Sequence, residues 1–582
     1  MTTHSNLAYW TLMLTLLVGI LGPVMGCGNR GDQTQPADLI LRGGKVVTVD
    51  EDLAAAEAVA IRGPWIVAVG ANEEIEDLVG PETRIVELDG RLVIPGWIEG
   101  HGHFMSLGNA LTVLDLTTAA NWDEIVAMVE AAVAAAAPGE WIRGRGWHQE
   151  KWDTPPSAAV EGVPVHASLS AVSPDNPVLL GHASGHAALA NANALELAGL
   201  DRDSEPPPGG ELVRDEKGDL TGLLRETAQR AVTAAMEQSR SDRTPEKVEA
   251  ERRRLAELAA QAALSKGVTS FHDAGSSFEV IDFFRQLESD GELPVRLYVM
   301  VRGQSNEEMD AKLADYRMVA TGNDFLTVRS IKRQIDGALG SHGAWLLAPY
   351  EDLPESVGLV LEPEDDIRRT AKIAIKHGFQ VNTHAIGDQA NRRVLDIYQE
   401  AFSAAGDPPD LRWRVEHAQH LHPDDIDRFG ELGVIAAMQG IHCTSDGPWV
   451  LKRLGSKRAE SGAYMWRKLI DSGAVVTNGT DVPVESIDPI ASFYASVSRV
   501  MDNGAAFYPD QRMTREEALR SYTLNNAYAA FEEDLKGSLV VGKLADITVL
   551  SQDIMTMPEQ EIPTTEVDLT IVAGEIRFER VD

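Results

Sequence analysis

The chain has 582 residues and a formal net charge of −37, from 52 lysines and arginines against 89 aspartates and glutamates. A surface of that sign repels phosphate, which argues against nucleic-acid binding. Hydrophobic residues make up 44% of the chain and charged residues 24%, a globular composition that argues against a multi-span membrane protein. The two cysteines, Cys27 and Cys443, are too few for a disulfide framework or a cysteine-rich zinc site. Any metal chemistry must therefore come from the 15 histidines.

The first residues are typical of an export signal. Residues 11–26 form an apolar run that is short for a membrane span. The run ends in Val24-Met25-Gly26-Cys27, which resembles a bacterial lipoprotein cleavage box. We predict a lipoprotein signal peptide over 1–27, with Cys27 lipidated, and a flexible tether over 28–37. No lysine or arginine precedes the run, so a simple cleaved secretory signal and a short membrane anchor remain alternatives.

This prediction has consequences for localisation and for the second cysteine. We expect an exported protein that an N-terminal lipid holds to a membrane, on the periplasmic or cell-surface side. Lipidation of Cys27 would leave Cys443 as a lone thiol, so a structural disulfide is not expected.

Short β-rich segments broken by glycine-containing turns occupy both ends of the remaining chain. They lie at 39–50, 58–70 and 83–96 and again at 537–550 and 568–579. We predict that 38–96 and 536–582 together build one small β-sandwich.

Between these ends, strand patterns alternate with helix patterns, which predicts an α/β fold with a parallel sheet. Eight strands with helical crossovers are typical of a (β/α)₈ TIM barrel, which we place at 97–535, with its active site at the C-terminal strand ends. Residues 113–243 do not follow the alternation, and we predict a large insertion after the first strand that folds over the barrel mouth. The eight candidate strands are GWIEGH (96–101), GVTSFHD (267–273), LPVRLYVMV (293–301), LTVRSIKRQID (326–336), FQVNTH (379–384), RWRVEH (412–417), VIAAMQ (434–439) and AVVTNGTD (474–481).

Histidines and one aspartate stand at the ends of four of these strands. His101 and His103 close the first strand, and residues at i and i+2 of a strand point to the same side, so both can face one metal ion. Alone, this pair could equally be a surface pair. His384, His417 and Asp481 end the fifth, sixth and eighth strands, and chance placement of all five residues at one barrel face is improbable.

This constellation resembles the amidohydrolase superfamily of metal-dependent hydrolases, and more closely its YtcJ-like branch, which includes N-substituted formamide deformylases. The resemblance extends from about Leu39 to the C-terminus. Its most specific motifs are VIPGWIEGHGH (93–103), GRGWHQEKW (144–152), SGHAALANANAL (184–195), DGALGSHGAWL (336–346), NTHAIGDQAN (382–391), VEHAQ (415–419), TREEALRSYT (514–523) and KGSLVVGKLADITVLSQD (536–553).

The resemblance implies a centre of two divalent metal ions, with zinc expected. One ion would be held by His101, His103 and Asp481 and the other by His384 and His417. Lys332 on the fourth strand would bridge them as a carbamate formed with carbon dioxide, because an ammonium group cannot bind a cation.

The alternative for Lys332 is an ion pair with Asp336 or Glu362, which would leave a mononuclear site. The nucleophile would be metal-bound hydroxide, since a metal ion lowers the pKa of bound water. Asp481 would act as the general base.

Further residues are candidates for substrate binding, although aromatic core packing is an equal alternative for those in the insertion. His342 stands where relatives commonly carry arginine, and that departure argues against recognition of an acidic substrate group. Glu99 precedes the first histidine by two residues and is not expected to be a ligand. His420 and His422 are predicted to lie in an exposed loop. The candidates for substrate binding are Trp147, His186, His342, His442 and Asp446.

The leading functional hypothesis is hydrolysis of a non-peptide C–N bond in a small-molecule amide, N-substituted formamide or cyclic amide. Ester or lactone hydrolysis and deamination use the same kind of centre and stay open, since a fold does not fix a substrate. A non-catalytic binding lipoprotein would be expected to have lost ligands, whereas all six positions are filled. A serine hydrolase has no support, because no Gly-x-Ser-x-Gly elbow occurs. A homodimer is left open.

Overall fold

A computed structural model describes residues 35–53, 55–241, 243–406 and 410–581. The predicted signal peptide, most of the predicted tether and Cys27 therefore lie outside the described residues. Within the described ranges, no helix has both the length and the apolar character needed to cross a membrane.

Eight parallel strands form the central barrel, and each coincides with a strand predicted from the sequence. Each pairs with the next in chain order. Their side chains are almost entirely buried, and in β3 and β7 most of them are apolar. The strands are β1 (Trp97–Gly102), β2 (Val268–Ser276), β3 (Arg296–Val301), β4 (Leu326–Gln334), β5 (Gln380–Ala385), β6 (Arg414–His417), β7 (Ile435–Gln439) and β8 (Val476–Gly479).

The ring approaches closure between β8 and β1. The backbone N–H of Asp481 donates to the carbonyl of His101 at 2.7 Å, and that of His103 donates to Val482 at 2.7 Å. The carboxylate of Glu99 joins the same strands, accepting from the Thr480 backbone N–H at 2.7 Å. The predicted TIM barrel is confirmed, and β1 and β8 bring three of the candidate ligands to one point.

Helices cover the outside of the barrel. Local sequence sets several of their ends: Pro245 follows the cap Thr244 at the start of the helix 245–265, and Gly378, with φ +70°, ends the helix 364–377. A capping box of Thr514 and Glu517 opens a helix that ends at Ser521, and a second helix follows it. The helices are Phe104–Ala110, Pro245–Ser265, Phe278–Asp290, Asn306–Tyr316, Glu364–His377, Asp388–Ala405, Pro423–Leu432, Gly440–Gly462, Trp466–Asp471, Pro489–Ser498, Arg515–Ser521 and Leu524–Ala529.

The segment predicted as an insertion, residues 113–243, follows β1 and the helix 104–110. It contains a separate sheet with its own apolar cores. Ion pairs join it to the barrel at the mouth, where Glu150 Oε1 lies 2.7 Å from Lys452 Nζ and 3.0 Å from Arg453 Nη2. Its strands, in sheet order, are Gly210–Arg214, Leu220–Glu226, Ala187–Ala190, Val178–His182, Ile142–Trp147 and Leu114–Asp115, and its helices are Trp122–Ala135, Ala167–Val172, Ala192–Leu197 and Gln229–Gln238.

The two chain ends build a β-sandwich, as predicted. One shared apolar core contains Leu41 and Val59 from the N-terminal part and Ile547 and Ile571 from the C-terminal part. One sheet has the order Trp65–Gly70, Ala58–Arg62, Leu39–Arg42 and Arg84–Glu87, and the other has the order Glu575–Glu579, Val567–Val572, Ile547–Leu550, Leu92–Pro95, Lys45–Val47 and Ala55–Ala56.

A buried ion pair fastens the sandwich to the barrel. Arg296, at the start of β3, donates to Asp546 through Nε at 2.7 Å and through Nη2 at 3.0 Å. Asp546→Ala would leave the buried guanidinium without its partner, so we expect the free energy of unfolding to fall by about 3–5 kcal/mol. Urea unfolding followed by circular dichroism measures this loss. Glu575→Ala, which removes an exposed ion pair with Arg577, should cost about 0–1 kcal/mol, and equal losses for both variants would contradict the prediction.

Candidate metal centre

The candidate ligands converge at the C-terminal ends of the barrel strands. One ligand atom from each of His101, His417 and Asp481 lies within 4.8 Å of the other two, and all three residues are buried. His103 Nε2 lies 3.3 Å from Asp481 Oδ1. The ring of His384 has its centroid 4.5 Å from that of His417. The structure thus brings together all five residues that the sequence places at strand ends.

Unusual backbone conformations aim two of these side chains. His417 has φ +76° and Asp481 has φ +57°. Residues other than glycine adopt such positive φ values only at a cost in free energy. Residues in a regular strand alternate between its faces. The turn at His417 allows Glu416 and His417 to face the barrel mouth together.

Lys332 on β4 completes the cluster. Its Nζ lies 3.2 Å from His101 Nε2. Burial lowers the pKa of Lys332 to about 8, which favours the neutral amine that reacts with carbon dioxide. Neither alternative partner forms an ion pair with it among the described residues. Asp336 accepts three backbone N–H groups instead, and Glu362 lies 2.7 Å from Arg333.

The protonation states suit a divalent cation. Burial lowers the pKa of His417 to about 3 and those of His101 and His384 well below the usual value, so these imidazoles are neutral and can offer lone pairs. Burial opposes ionisation of Asp481, yet His103 and neighbouring histidines outweigh it and lower the pKa. His384 Nε2 is buried without a hydrogen-bond partner among the described residues. Neutral imidazoles and a carboxylate are a donor set that zinc accepts.

A cavity of about 50 Å³, the inner pocket, adjoins this cluster. His186, His442 and Asp446 line it, as does His148. Among the predicted substrate-binding residues, Trp147 and His342 do not line it. They face a separate small cavity between the insertion and the barrel, where His342 Nε2 lies 3.2 Å from Asp352 and burial lowers the pKa of His342 to about 4.

His420 and His422 were both predicted to lie in an exposed loop outside the site. His420 is only 2% exposed, so its prediction as part of an exposed loop was wrong: the segment packs against the chain at Ala463, with which His420 forms a β-bridge. His422 is partly exposed and caps the helix 423–432.

Comparison with known proteins agrees with this geometry. The sequence profile described as "Amidohydrolase family" matches residues 84–578. The chain belongs to the amidohydrolase family. The resemblance read from the sequence motifs is confirmed, and the chain is a hydrolase.

Relatives of this amidohydrolase match over most of their length. Protein LONG AFTER FAR-RED 3 of Arabidopsis thaliana is 34% identical over 88% of this chain and 87% of its own. N-substituted formamide deformylase of Arthrobacter pascens is 27% identical over 94% of this chain and 99% of its own. The crystal structure of an uncharacterized metal-dependent hydrolase from Pyrococcus horikoshii OT3 is 26% identical, with a TM-score of 0.70, and the match covers 90% of this chain and 99% of that one.

Two further residues of this amidohydrolase, which were not among the candidates predicted from the sequence, orient the histidines. Glu416 Oε2 accepts a hydrogen bond from His101 Nδ1, and Gln439 Oε1 accepts one from His417 Nδ1 at 2.8 Å. Each bond leaves Nε2 of its histidine for a metal ion, as such partners do in metal sites. For Glu416, the sequence did hold a signal for this role, because a glutamate stands directly before the strand-end histidine His417.

Glu416→Gln should lower metal affinity about 10- to 100-fold, because the amide lacks the charge that makes His101 a stronger ligand. Metal content after dialysis against a graded series of chelator concentrations measures the change. Glu460→Gln, on an exposed residue, serves as the control. An unchanged affinity in Glu416→Gln would show that the carboxylate does not tune the site.

Proposed function

We propose that this amidohydrolase cleaves a non-peptide C–N bond in a small-molecule amide, an N-substituted formamide or a cyclic amide. The observation that carries the proposal is the buried cluster of His101, His417 and Asp481, which opens on the inner pocket. The relative from Arthrobacter pascens is named for the deformylation of N-substituted formamides, which supports an amide-type bond as the target.

The residues present fit a pair of divalent cations, with zinc as the proposed metal. His101, His103 and Asp481 would hold one ion and His384 and His417 the other, with the carbamate of Lys332 between them. Bound ions of this kind polarise a carbonyl group and lower the pKa of water.

We propose that Asp481 transfers a proton from the attacking water to the leaving nitrogen. Ionised in its resting state, its carboxylate can accept a proton from the attacking water at Oδ1 and return it to the leaving nitrogen. Oδ1 lies 3.3 Å from His103 Nε2 and 3.6 Å from His101 Nε2, and it is buried without a hydrogen-bond partner among the described residues.

His442 is proposed to orient the substrate. Its Nε2 is buried and has no hydrogen-bond partner within the part of the chain that the structure describes. It can therefore bond to a substrate oxygen in the inner pocket. Asp446 is already engaged, since its Oδ2 accepts from Tyr464 Oη at 2.8 Å and from Gln419 Nε2 at 2.9 Å. We assign Asp446 to positioning the pocket wall.

Removal of metal tests the centre. Protein prepared with zinc supplied should contain close to two divalent ions per chain, and chelation should abolish hydrolysis until zinc is restored. Elemental analysis, with a screen of amides, N-formyl compounds, hydantoins and esters, measures both. A metal content near zero after metal-supplemented preparation would remove the basis of the proposal.

We also propose that the protein is an exported lipoprotein anchored through Cys27. The proposal rests on the apolar run and the cleavage-box sequence alone. Cys27→Ser should release the protein from the membrane fraction of its host, and mass spectrometry of the mature N-terminus should find the lipid on the unaltered protein only.

A further inference from the structure

A larger cavity, of about 370 Å³, adjoins the metal centre and is here called the outer pocket. His103 borders it from the side of the centre, and it shares Ser184, His186 and Val484 with the inner pocket. A single elongated substrate can therefore reach both pockets. The charged residues of its lining are Arg145, Glu226, Arg230, Arg302 and Glu362.

The three arginines come from separate elements. Arg302 directly follows β3, Arg145 lies in the strand 142–147 of the insertion, and Arg230 lies in the first turn of the helix 229–238. Gly275 makes room for the stem of Arg302: its φ is +125°, and a Cβ there would lie 2.5 Å from Arg302 Cδ. Any larger residue at that position would displace the guanidinium, so the fold itself holds this cation at the pocket.

None of these arginines forms an ion pair among the described residues. Arg302 Nη2 donates to the amide oxygen of Gln334 at 2.6 Å. Arg145 donates to backbone carbonyls, to Ala183 at 3.1 Å and to Pro483. Arg230 has no side-chain partner within the described ranges. Several N–H donors therefore stay available on each guanidinium.

The two glutamates of the lining are engaged elsewhere. Glu226 Oε2 lies 2.9 Å from His186 Nδ1, and Glu362 Oε2 lies 2.7 Å from Arg333 Nε. Three arginines and two glutamates leave a net charge of at least 3 − 2 = +1. Although burial opposes it, the contact with Glu226 raises the pKa of His186, which favours a further positive charge. A lining of net positive charge suits an anionic substrate group.

Both buried guanidinium groups remain cations at neutral pH. Burial lowers the pKa of Arg302, whereas the nearby carboxylates of Glu362, Asp481 and Asp273 raise it, and burial lowers the pKa of Arg145 only to about 10. Arg230 also lowers the pKa of Arg302, because two positive charges stand close together. An anion between them would relieve this repulsion.

We propose that the outer pocket binds the carboxylate of a monoanionic amide substrate and that Arg145, Arg230 and Arg302 recognise it. The planar guanidinium fork matches a carboxylate in shape and charge. The inference rests on the proposed function, which puts the scissile amide at the metal centre, and it names the substrate class. It also reverses the expectation drawn from His342, which does not line this pocket.

Matched substrates test the proposal. N-formylglycine, N-formyl-β-alanine and N-formyl-4-aminobutyrate are each compared with the corresponding primary carboxamide, with formate release as the readout and zinc supplied. The pairs differ in charge, and the series varies the distance between the formamide and the carboxylate. For at least one length, kcat/KM for the acid should exceed that for the carboxamide about 10-fold or more. Equal values at every length would overturn the proposal.

Variants assign the preference to the arginines. Arg230→Gln, at an exposed residue, and Arg302→Gln should each lower the acid-to-carboxamide ratio about 10-fold. Arg254→Gln, an exposed arginine outside the pocket lining, should leave the ratio unchanged. A preference for acids that survives both pocket substitutions would place the carboxylate elsewhere, for example on the metal ions, and would overturn the assignment.

A binding measurement separates this inference from the proposed function. If no N-formyl compound is hydrolysed, deformylation is excluded, and calorimetric titration with the same acids and carboxamides decides the pocket. Tighter binding of an acid that weakens in Arg230→Gln and Arg302→Gln supports the carboxylate site. Equal binding of acid and carboxamide overturns it.

Discussion

Asp481→Asn should retain the fold and lose most of its hydrolytic activity. The asparagine keeps the shape of the side chain but neither accepts a proton nor supplies a negative charge to the centre. Loss of a general base alone costs about 10²- to 10⁴-fold in rate, and we expect the upper part of that range because the same carboxylate is a proposed ligand. The measurement is kcat for a substrate from the amide screen, with circular dichroism to check folding.

The control is Asp510→Asn, which makes the same chemical change at an exposed position. Restoring the metal content of Asp481→Asn with excess zinc separates the two roles. If activity returns together with the metal, Asp481 is a ligand only, and the assignment as general base is wrong. Undiminished activity without added zinc would remove both roles.

The barrel could be predicted because buried parallel strands leave a strong signal. A strand such as β3 is buried on both faces, and all of its residues after Arg296 are apolar or aromatic. His384, His417 and Asp481 stand where such runs stop, and strand ends of one barrel meet at one face. Order along the chain was therefore enough to predict that these residues converge.

Contacts across the ring were not predictable in the same way. Glu416 and His101 are 315 positions apart in sequence, and His417, next to Glu416, has an unusual backbone conformation with φ +76°. A pattern of apolar and polar residues carries no information about that conformation. The same reason accounts for His420, which burial by a distant segment removes from the surface.

Residues of the insertion line both pockets, and the path of the insertion could not be predicted from the sequence. In the strand 142–147, Arg145 faces the outer pocket while Trp147 packs in the core of the insertion. A β-bulge shifts the strand register between them. Side chains two positions apart share a face only in a regular strand. The sequence gives no sign of the bulge, so the prediction that Trp147 binds substrate could not take the bulge into account.

Lys332→Ala should lose activity about as severely as Asp481→Asn, because it would remove the anionic group proposed to lie between the two ions. The alanine leaves space at a position where the lysine is 4% exposed. A small carboxylic acid such as acetate or propionate can enter such a space and supply two oxygens in place of the carbamate. We therefore expect added acetate or propionate to restore part of the activity of Lys332→Ala, and Lys372→Ala, at an exposed residue, to behave as the unaltered protein.

A second readout does not depend on turnover. Protein prepared with zinc and ¹³C-labelled bicarbonate should show a carbamate carbon resonance that is absent from Lys332→Ala. If the resonance is missing from the unaltered protein while two zinc ions are bound, the lysine does not bridge them. The 3.2 Å contact between Lys332 Nζ and His101 Nε2 would then belong to an amine that only positions the histidine, and acetate would restore nothing. Rescue together with the resonance is expected only if Lys332 serves as an anionic ligand.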